Sequence, residues 1–444
     1  MRLSPIIKPS TGICLFLVTA SLSVCTILFG KFDWIILFFC VFLSLPFVRW
    51  RHYRPSRLFR YITLLFYIPF LISLCWSFVL ISIVNDVAYN NYITSTLIFR
   101  TLHVALFYLI LFYSDTLISH KPRNISIHLL SVFVWGVIIF LGLFGLWQIL
   151  GSLTGVWVPQ IETRNALYSA RALGINRVTS LADEPSYLVP FLIDAILILL
   201  LFKKKKLALL LGFLLVMSLS FGGFMESAVL LSAYVLMSSK ATKVKVVALI
   251  MISIGILIVA FPDLVDIIVQ IVLSRKELQA GFDPSQTSRT AMIVYPIEKW
   301  SEFDFVSLAI GYGPGSSKYL LEANPSEALF VTSNNIFADL LYEEGLIGVA
   351  GLVILFVLFW RNTYSYEKRI KIFVRLFVIH IILSSLYRAD YSSARYTALF
   401  IILLALHRLF SSKNRSCNPL NLSTLDDNSN TSDISAGKVF VGLS

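Results

Sequence analysis

Apolar runs of membrane-spanning length recur from about residue 11 to about residue 410, and no other feature restricts the possible folds as much. They lie at about 11–30, 32–48, 61–84, 93–113, 127–150, 186–202, 207–221, 226–239, 244–262, 335–360, 371–387 and 396–410. A hydrocarbon core about 30 Å thick takes roughly 20 helical residues, so the pattern predicts about twelve transmembrane helices. The seventh and eighth runs are short and meet at Phe221-Gly222-Gly223-Phe224, where a tight or partly re-entrant hairpin is the alternative. With 57% hydrophobic and 14% charged residues among 444, the chain has more apolar surface than a soluble core can cover. The fold class that follows is an all-α polytopic membrane protein.

The formal net charge of +12 does not indicate a nucleic-acid partner, because no basic domain stands apart from the apolar runs. The cations sit in short loops instead, where they report orientation and contact with anionic lipid. The loops are Arg49 to Arg54, Lys121 with Arg123, Lys203 to Lys206, Lys240 with Lys243 and Lys245, and Arg361 with Lys368, Arg369 and Lys371. In a twelve-span arrangement all of them fall on one side, with Arg2, Lys8, Lys413 and Arg415, which makes both termini cytoplasmic. The other side receives Asn85 to Asn91, two larger loops of about 151–185 and 263–334, and the turn from Arg388 to Arg395. Residues 1–410 thus form a single integral-membrane domain, and 411–444, rich in Ser, Asn and Asp, read as a disordered polar cytoplasmic tail. Arg2 and Lys8 ahead of the first run resemble half of a signal peptide, but no small-residue cleavage site follows, so the run is read as an uncleaved helix. Cys14, Cys25, Cys40, Cys75 and Cys417 have neither metal-ligand nor redox spacing.

The interval from Asp263 to Glu344 is too long for a turn and too patterned for a passive linker. Arg289 opens a segment to Tyr295 that suits an interfacial amphipathic helix bracketed by Pro284 and Pro296. Gly311-Tyr312-Gly313-Pro314-Gly315 lacks the Lys-Ser/Thr ending of a phosphate-binding loop, and its use is tight turning with close backbone approach. Asn334 and Asn335 stand at a helix entry, where an amide either caps the helix or holds a sugar hydroxyl. The 151–185 loop carries Arg164, Arg171 and Arg177, then Asp183-Glu184-Pro185-Ser186 at the sixth run. These arginines either pair with Glu162, Asp183 and Glu184 or form an anion site through forked, charge-assisted hydrogen bonds. Arg100 and His103, about two turns inside the fourth run, require a polar partner or a snorkelling path, and Asp194 is a candidate counter-ion. His380 reads as a hydrogen-bonded interior residue.

This order of motifs resembles the integral-membrane polymerase and ligase superfamily of bacterial surface polysaccharides, above all the Wzy-type O-antigen polymerases. The resemblance rests on Arg177 to Ser186, Ser288-Arg289, Gly311 to Gly315, Asn334-Asn335 and Glu344-Gly345-Leu346-Ile347-Gly348. Ligases of the superfamily have His-Asn where this chain has Asn334-Asn335, which favours the polymerase; a ligase or a lipid-linked sugar flippase is the alternative. No arginine stands in the family's Ser-Arg-Gly position, which here reads Ser220-Phe221-Gly222-Gly223. The resemblance implies an inner-membrane enzyme whose active face is periplasmic. Such an enzyme transfers a growing chain from undecaprenyl diphosphate to an incoming lipid-linked repeat unit, alongside a chain-length regulator and a flippase. It also implies a glycosyltransferase without cofactor or metal, since arginines can stabilise charge on the leaving diphosphate. The catalytic expectation falls on Arg289, Arg177 and Glu184, with Glu184 as general base. Substrate binding falls on Arg164, Arg171, Arg100, Asn334, Asn335 and Gly313.

Overall fold

The structure is a computed structural model that describes residues 10–45, 55–84, 86–158, 171–172, 175–239, 289–317, 335–387 and 390–411, with single positions 8, 241, 243, 244, 319 and 333. The ninth apolar run, the tail after 411, Arg164, Ser288 and Asn334 lie outside the described residues. The described chain is helical apart from a two-residue antiparallel pair, in which β1 (Arg171–Ala172) opposes β2 (Ile175–Asn176) with Arg171 across from Asn176.

In chain order the helices are α1 (Thr11–Ala20), α2 (Thr26–Ser44), α3 (Arg57–Val84), α4 (Val87–His120), α5 (Pro122–Thr154), α6 (Pro185–Leu201) and α7 (Lys205–Met217). They continue with α8 (Phe221–Met237), α9 (Arg289–Ser301), α10 (Phe305–Ile310), α11 (Ile336–Asn362), α12 (Lys368–Ser385) and α13 (Ala394–Phe410). Four of these segments are long and apolar enough to cross a membrane by length and composition: α3, α4, α5 and α11 extended to Ser365. Other apolar helices are shorter, including α6, α8 and α1 with the 3-10 turn that follows it. The first two apolar runs divide differently from the sequence expectation. The break falls at Ser21 to Cys25, where Cys25 is extended, and not at Lys31.

α6 and α13 form the centre. Each buries fourteen of its 17 residues, whereas α3 and α4 keep one face open. A helix apolar on every side is a core helix, and the sequences of α6 and α13 are of that kind. α13 packs on α4 and α5, and α6 packs on α7 and α12. Wide π turns interrupt α3 at Thr63–Tyr67, α4 at Ile93–Leu97 and α5 at Ile138–Leu143. Such turns displace the side chains that follow them and gather at functional sites. Where α3 meets α11, a Cβ on Gly351 would stand 2.1 Å from the Leu65 carbonyl oxygen, so the crossing depends on glycine.

Hydrogen bonds between the described loops and helix ends fall into two groups at opposite ends of the helices. At one end Ser56 N–H donates to Asp115, Arg408 to Ser119, and Arg369 to the Leu200 carbonyl. At the other, Tyr319 donates to Asp86, Tyr92 to the Pro314 carbonyl, Arg177 to the Ser218 carbonyl, and Asn335 to the Leu386 carbonyl. The first group includes residues close in sequence to Lys121 and Lys203; the second includes the glycine run and its neighbours. Gly351→Ala is expected to destabilise the bundle by about 1–3 kcal/mol through overpacking. Gly212→Ala, in α7 with nothing within 4 Å of the new methyl, should leave it unchanged or slightly firmer. Thermal unfolding in lipid nanodiscs reads both.

Candidate functional site

Gly345 interrupts α11 with φ +67° and ψ −162°, a conformation that an L side chain rarely adopts. The break turns the Tyr342 and Glu343 carbonyls toward the glycine run. Tyr312 N–H donates to the Tyr342 carbonyl at 3.0 Å and Gly313 N–H to the Glu343 carbonyl at 3.0 Å. Gly311, Gly313 and Gly315 all have positive φ, and a Cβ on Gly311 would lie 2.3 Å from the Glu343 carbonyl. The run therefore folds directly onto the broken helix, as its composition suggests, and contact is backbone to backbone.

The Glu343 side chain, buried beneath this junction, collects donors from four places. Its Oε2 accepts Gly315 N–H at 2.6 Å and the Tyr391 hydroxyl, and lies 3.4 Å from Arg100 Nη2. Its Oε1 accepts Ser317 Oγ at 2.7 Å. Arg100 also lies 3.3 Å from Asp390 Oδ1, and its guanidinium sits 4.7 Å from the Tyr391 ring centroid. The counter-ions of Arg100 are thus Glu343 and Asp390. Asp194, its expected partner, pairs elsewhere because α6 places it beside α12 and α13. One turn along α4, His103 pairs with Asp33 at 3.0 Å and stacks on Trp34.

Asp194 belongs to a second buried network. His380 Nδ1 is 2.5 Å from Glu226 Oε1, and its Nε2 is 2.8 Å from Asp194 Oδ1. Arg395 Nε donates to Asp194 Oδ2 at 3.0 Å, and the Tyr387 hydroxyl donates to Glu226 Oε2. The turn between α12 and α13 connects the two networks. Leu386 accepts Asn335 Nδ2, Tyr387 reaches Glu226, Asp390 pairs with Arg100, and Tyr391 reaches Glu343.

An aromatic group flanks the glycine run: Tyr312 stacks on Phe303 and Tyr319, and Tyr89 meets both Tyr312 and Tyr319 edge-on. The Tyr319 hydroxyl, helped by the Ala88 N–H, holds the Asp86 carboxyl below the usual carboxylate range. Burial pushes the Tyr312 and Tyr319 phenols up. Among the described residues no group of three or more His, Cys, Asp or Glu side chains is arranged to hold a metal ion.

The expected site residues are distributed unevenly over this end. Arg177 Nε and Nη2 donate to the Ser218 and Leu219 carbonyls, each at 3.2 Å, at the end of α7. Glu184 precedes α6 and accepts Ser186 Oγ at 3.0 Å. Asn335 caps α11: its Oδ1 accepts Phe337 and Ala338 N–H, one of the two roles that sequence left open. Gly313 has φ +112°, and a Cβ there would meet the Tyr92 hydroxyl at 2.6 Å. Arg289 begins α9, and Arg171 lies in β1. Pro296 lies inside α9 and does not bracket it, because the helix continues to Ser301. Sequence reasoning missed Glu343, Glu226, Asp390, Tyr387 and Tyr391. A carboxylate next to the Glu-x-Gly break, and a charged turn between two apolar runs, were the available signals.

Apolar helices, four of them long enough to cross a membrane, with buried ion networks packed between them define the class of multi-pass membrane proteins. A family model described as O-antigen ligase matches residues 206–353, from the start of α7 into α11. The match is consistent with the O-antigen polymerase and ligase superfamily and supports a function of that type. No curated protein gives a significant match to the chain.

Removing one partner of a buried ion pair costs about 3–5 kcal/mol because the other charge is stranded. Glu343→Gln should therefore lower the unfolding temperature more than the double variant Glu343→Gln with Arg100→Gln. A double-mutant cycle in nanodiscs checks this, and additive losses would remove the coupling.

Proposed function

We propose that the protein is a polymerase that joins undecaprenyl-diphosphate-linked oligosaccharide repeat units into O-antigen or a related surface polysaccharide. In this reading it is a metal-independent glycosyltransferase of the bacterial inner membrane with about twelve spans, and the cation-poor end of the bundle faces the periplasm. The growing chain leaves its lipid diphosphate and joins the incoming unit. The observation that carries the reading is the gathering of the Arg177 segment, the glycine run and the Asn335 entry at one end of the bundle. The family match covers the α7–α11 part of that end.

Donor binding needs fixed positive charge at the diphosphate, and arginine supplies it through forked hydrogen bonds that hold at any working pH. Arg289 and Arg177 are proposed for the diphosphate, with Arg164, Arg171 and Arg100 in support. Arg177 is already oriented by two carbonyl groups, so it offers a pre-set guanidinium rather than a flexible one. Glu184 is the proposed base, and Gly313, Asn334 and Asn335 are the residues proposed to bind the sugar. Asn335 serves first as a helix cap. The polymerase is favoured over the ligase by the absence of histidine at 334 and 335.

Deleting the gene should abolish the lipopolysaccharide ladder while leaving core plus one repeat. Core alone would point to a ligase or a flippase, and an unchanged ladder would end the proposal. Arg289→Ala and Arg177→Ala should each remove the ladder at normal membrane abundance, with lysine restoring it only in part. Full ladders in both alanine variants would remove the arginines from the site.

A further inference from the structure

The Glu226, His380, Asp194 and Arg395 network lies in the bundle interior, and diphosphate binding gives it no task. Each of the four side chains is at most 6% exposed. Both nitrogens of His380 meet carboxylate oxygens at hydrogen-bond distance, and its Nε2 also lies 3.2 Å from Arg395 Nη2. Desolvating such a group costs several kcal/mol per ion, and apolar residues of equal volume would pack at least as well. The network is therefore an expensive way to hold four helices together.

One member of the chain of contacts leads outward. Tyr387, half-buried in the turn after α12, donates its hydroxyl to Glu226 Oε2. Its ring lies on Gly222, where a Cβ would stand 3.3 Å from Cε2, so glycine lets the ring settle against α8. With its proton directed inward, the phenolic oxygen keeps its lone pairs for a donor arriving from the loop side. Asp390 and Tyr391 of the same turn hold Arg100 and Glu343, which sets Tyr387 beside the proposed site.

We propose that Tyr387 receives the proton of the attacking sugar hydroxyl and passes its own to Glu226. The inference rests on the polymerase reading above and replaces Glu184 as the proton acceptor. The bond between the anomeric carbon and the diphosphate oxygen breaks, and its electron pair leaves with the diphosphate. The acceptor oxygen forms the new bond to that carbon. Its proton moves to Tyr387 Oη as the phenolic proton moves to Glu226 Oε2, so no phenolate forms. Tyr387 is the residue that touches substrate. Glu226 acts through it, and His380 and Asp194 are positioning residues that fix the carboxylate in place. The charged or titratable groups facing Glu226 are His380 of α12 and Tyr387 of the turn, with Asp194 of α6 and Arg395 of α13 behind them.

The test uses membranes containing the full-length protein, supplied with lipid-linked repeat units extracted from the deletion strain. Chain extension is followed on gels. Tyr387→Phe keeps the ring on Gly222 and should reach normal abundance, yet extend chains about 100-fold more slowly, the lower range for losing an acid–base group. Glu226→Gln should lose most of the rate with KM for the lipid-linked units unchanged, and Glu226→Asp, which keeps a carboxylate, should recover part of it. A purely structural role would give the glutamine and aspartate variants the same loss. Wild-type extension by Tyr387→Phe, or equal rates in Glu226→Gln and Glu226→Asp, overturns the inference. Should Glu226→Gln fail to accumulate, Tyr387→Phe decides alone. If deletion of the gene removes the ladder and Tyr387→Phe restores it in full, this inference fails and the polymerase reading survives; if deletion leaves the ladder, the polymerase reading itself fails.

Discussion

The carboxylate of Glu343 at the break in α11 is the point on which this end of the molecule depends. Its two oxygens and its carbonyl bind the glycine run, α3, α4 and the turn before α13 at once. Inside a bilayer no water competes for these donors, so each bond is stronger than at a soluble surface and each missing one is costlier. The positive φ at Gly345 is what allows it, because an unbroken helix would direct the Tyr342 and Glu343 carbonyls along its own axis. Arg100 completes the arrangement: its charge deep in α4 is tolerable only because Glu343 and Asp390 face it.

The second network follows the same rule with different partners. α6 and α13 are the most enclosed helices, and each contributes one charge, Asp194 and Arg395, that no lipid-facing position could accept. Described residues of the turn between α12 and α13 touch both networks: Tyr387 bonds Glu226, and Tyr391 bonds Glu343.

Much of this was legible in residues 11–410. The apolar runs marked nearly all the helices that the structure describes, and the glycine run was read as a close backbone approach. The readings that changed involve position along a helix or partner choice. The first break moved from Lys31 to the Ser21 to Cys25 segment because a 3-10 turn, not a charge, ends α1. Pro296 was tolerated inside α9. Asp194 was correctly seen as a buried counter-ion but assigned to the wrong cation, since Arg395 lies about two hundred residues away in sequence and adjacent in space.

Sequence alone determined that the chain needs lipid and that glycine must stand at 311, 313 and 315. Both are properties of local composition: transfer free energy and backbone sterics act over a few residues. Only the tertiary structure decided that Glu343 rather than Glu344 collects the donors, that Asn335 is a cap, and that the turn around Tyr387 joins two ion networks. Those outcomes depend on which helices lie side by side, and a carboxylate in an apolar run carries no mark of the cation or hydroxyl that packing will bring to it.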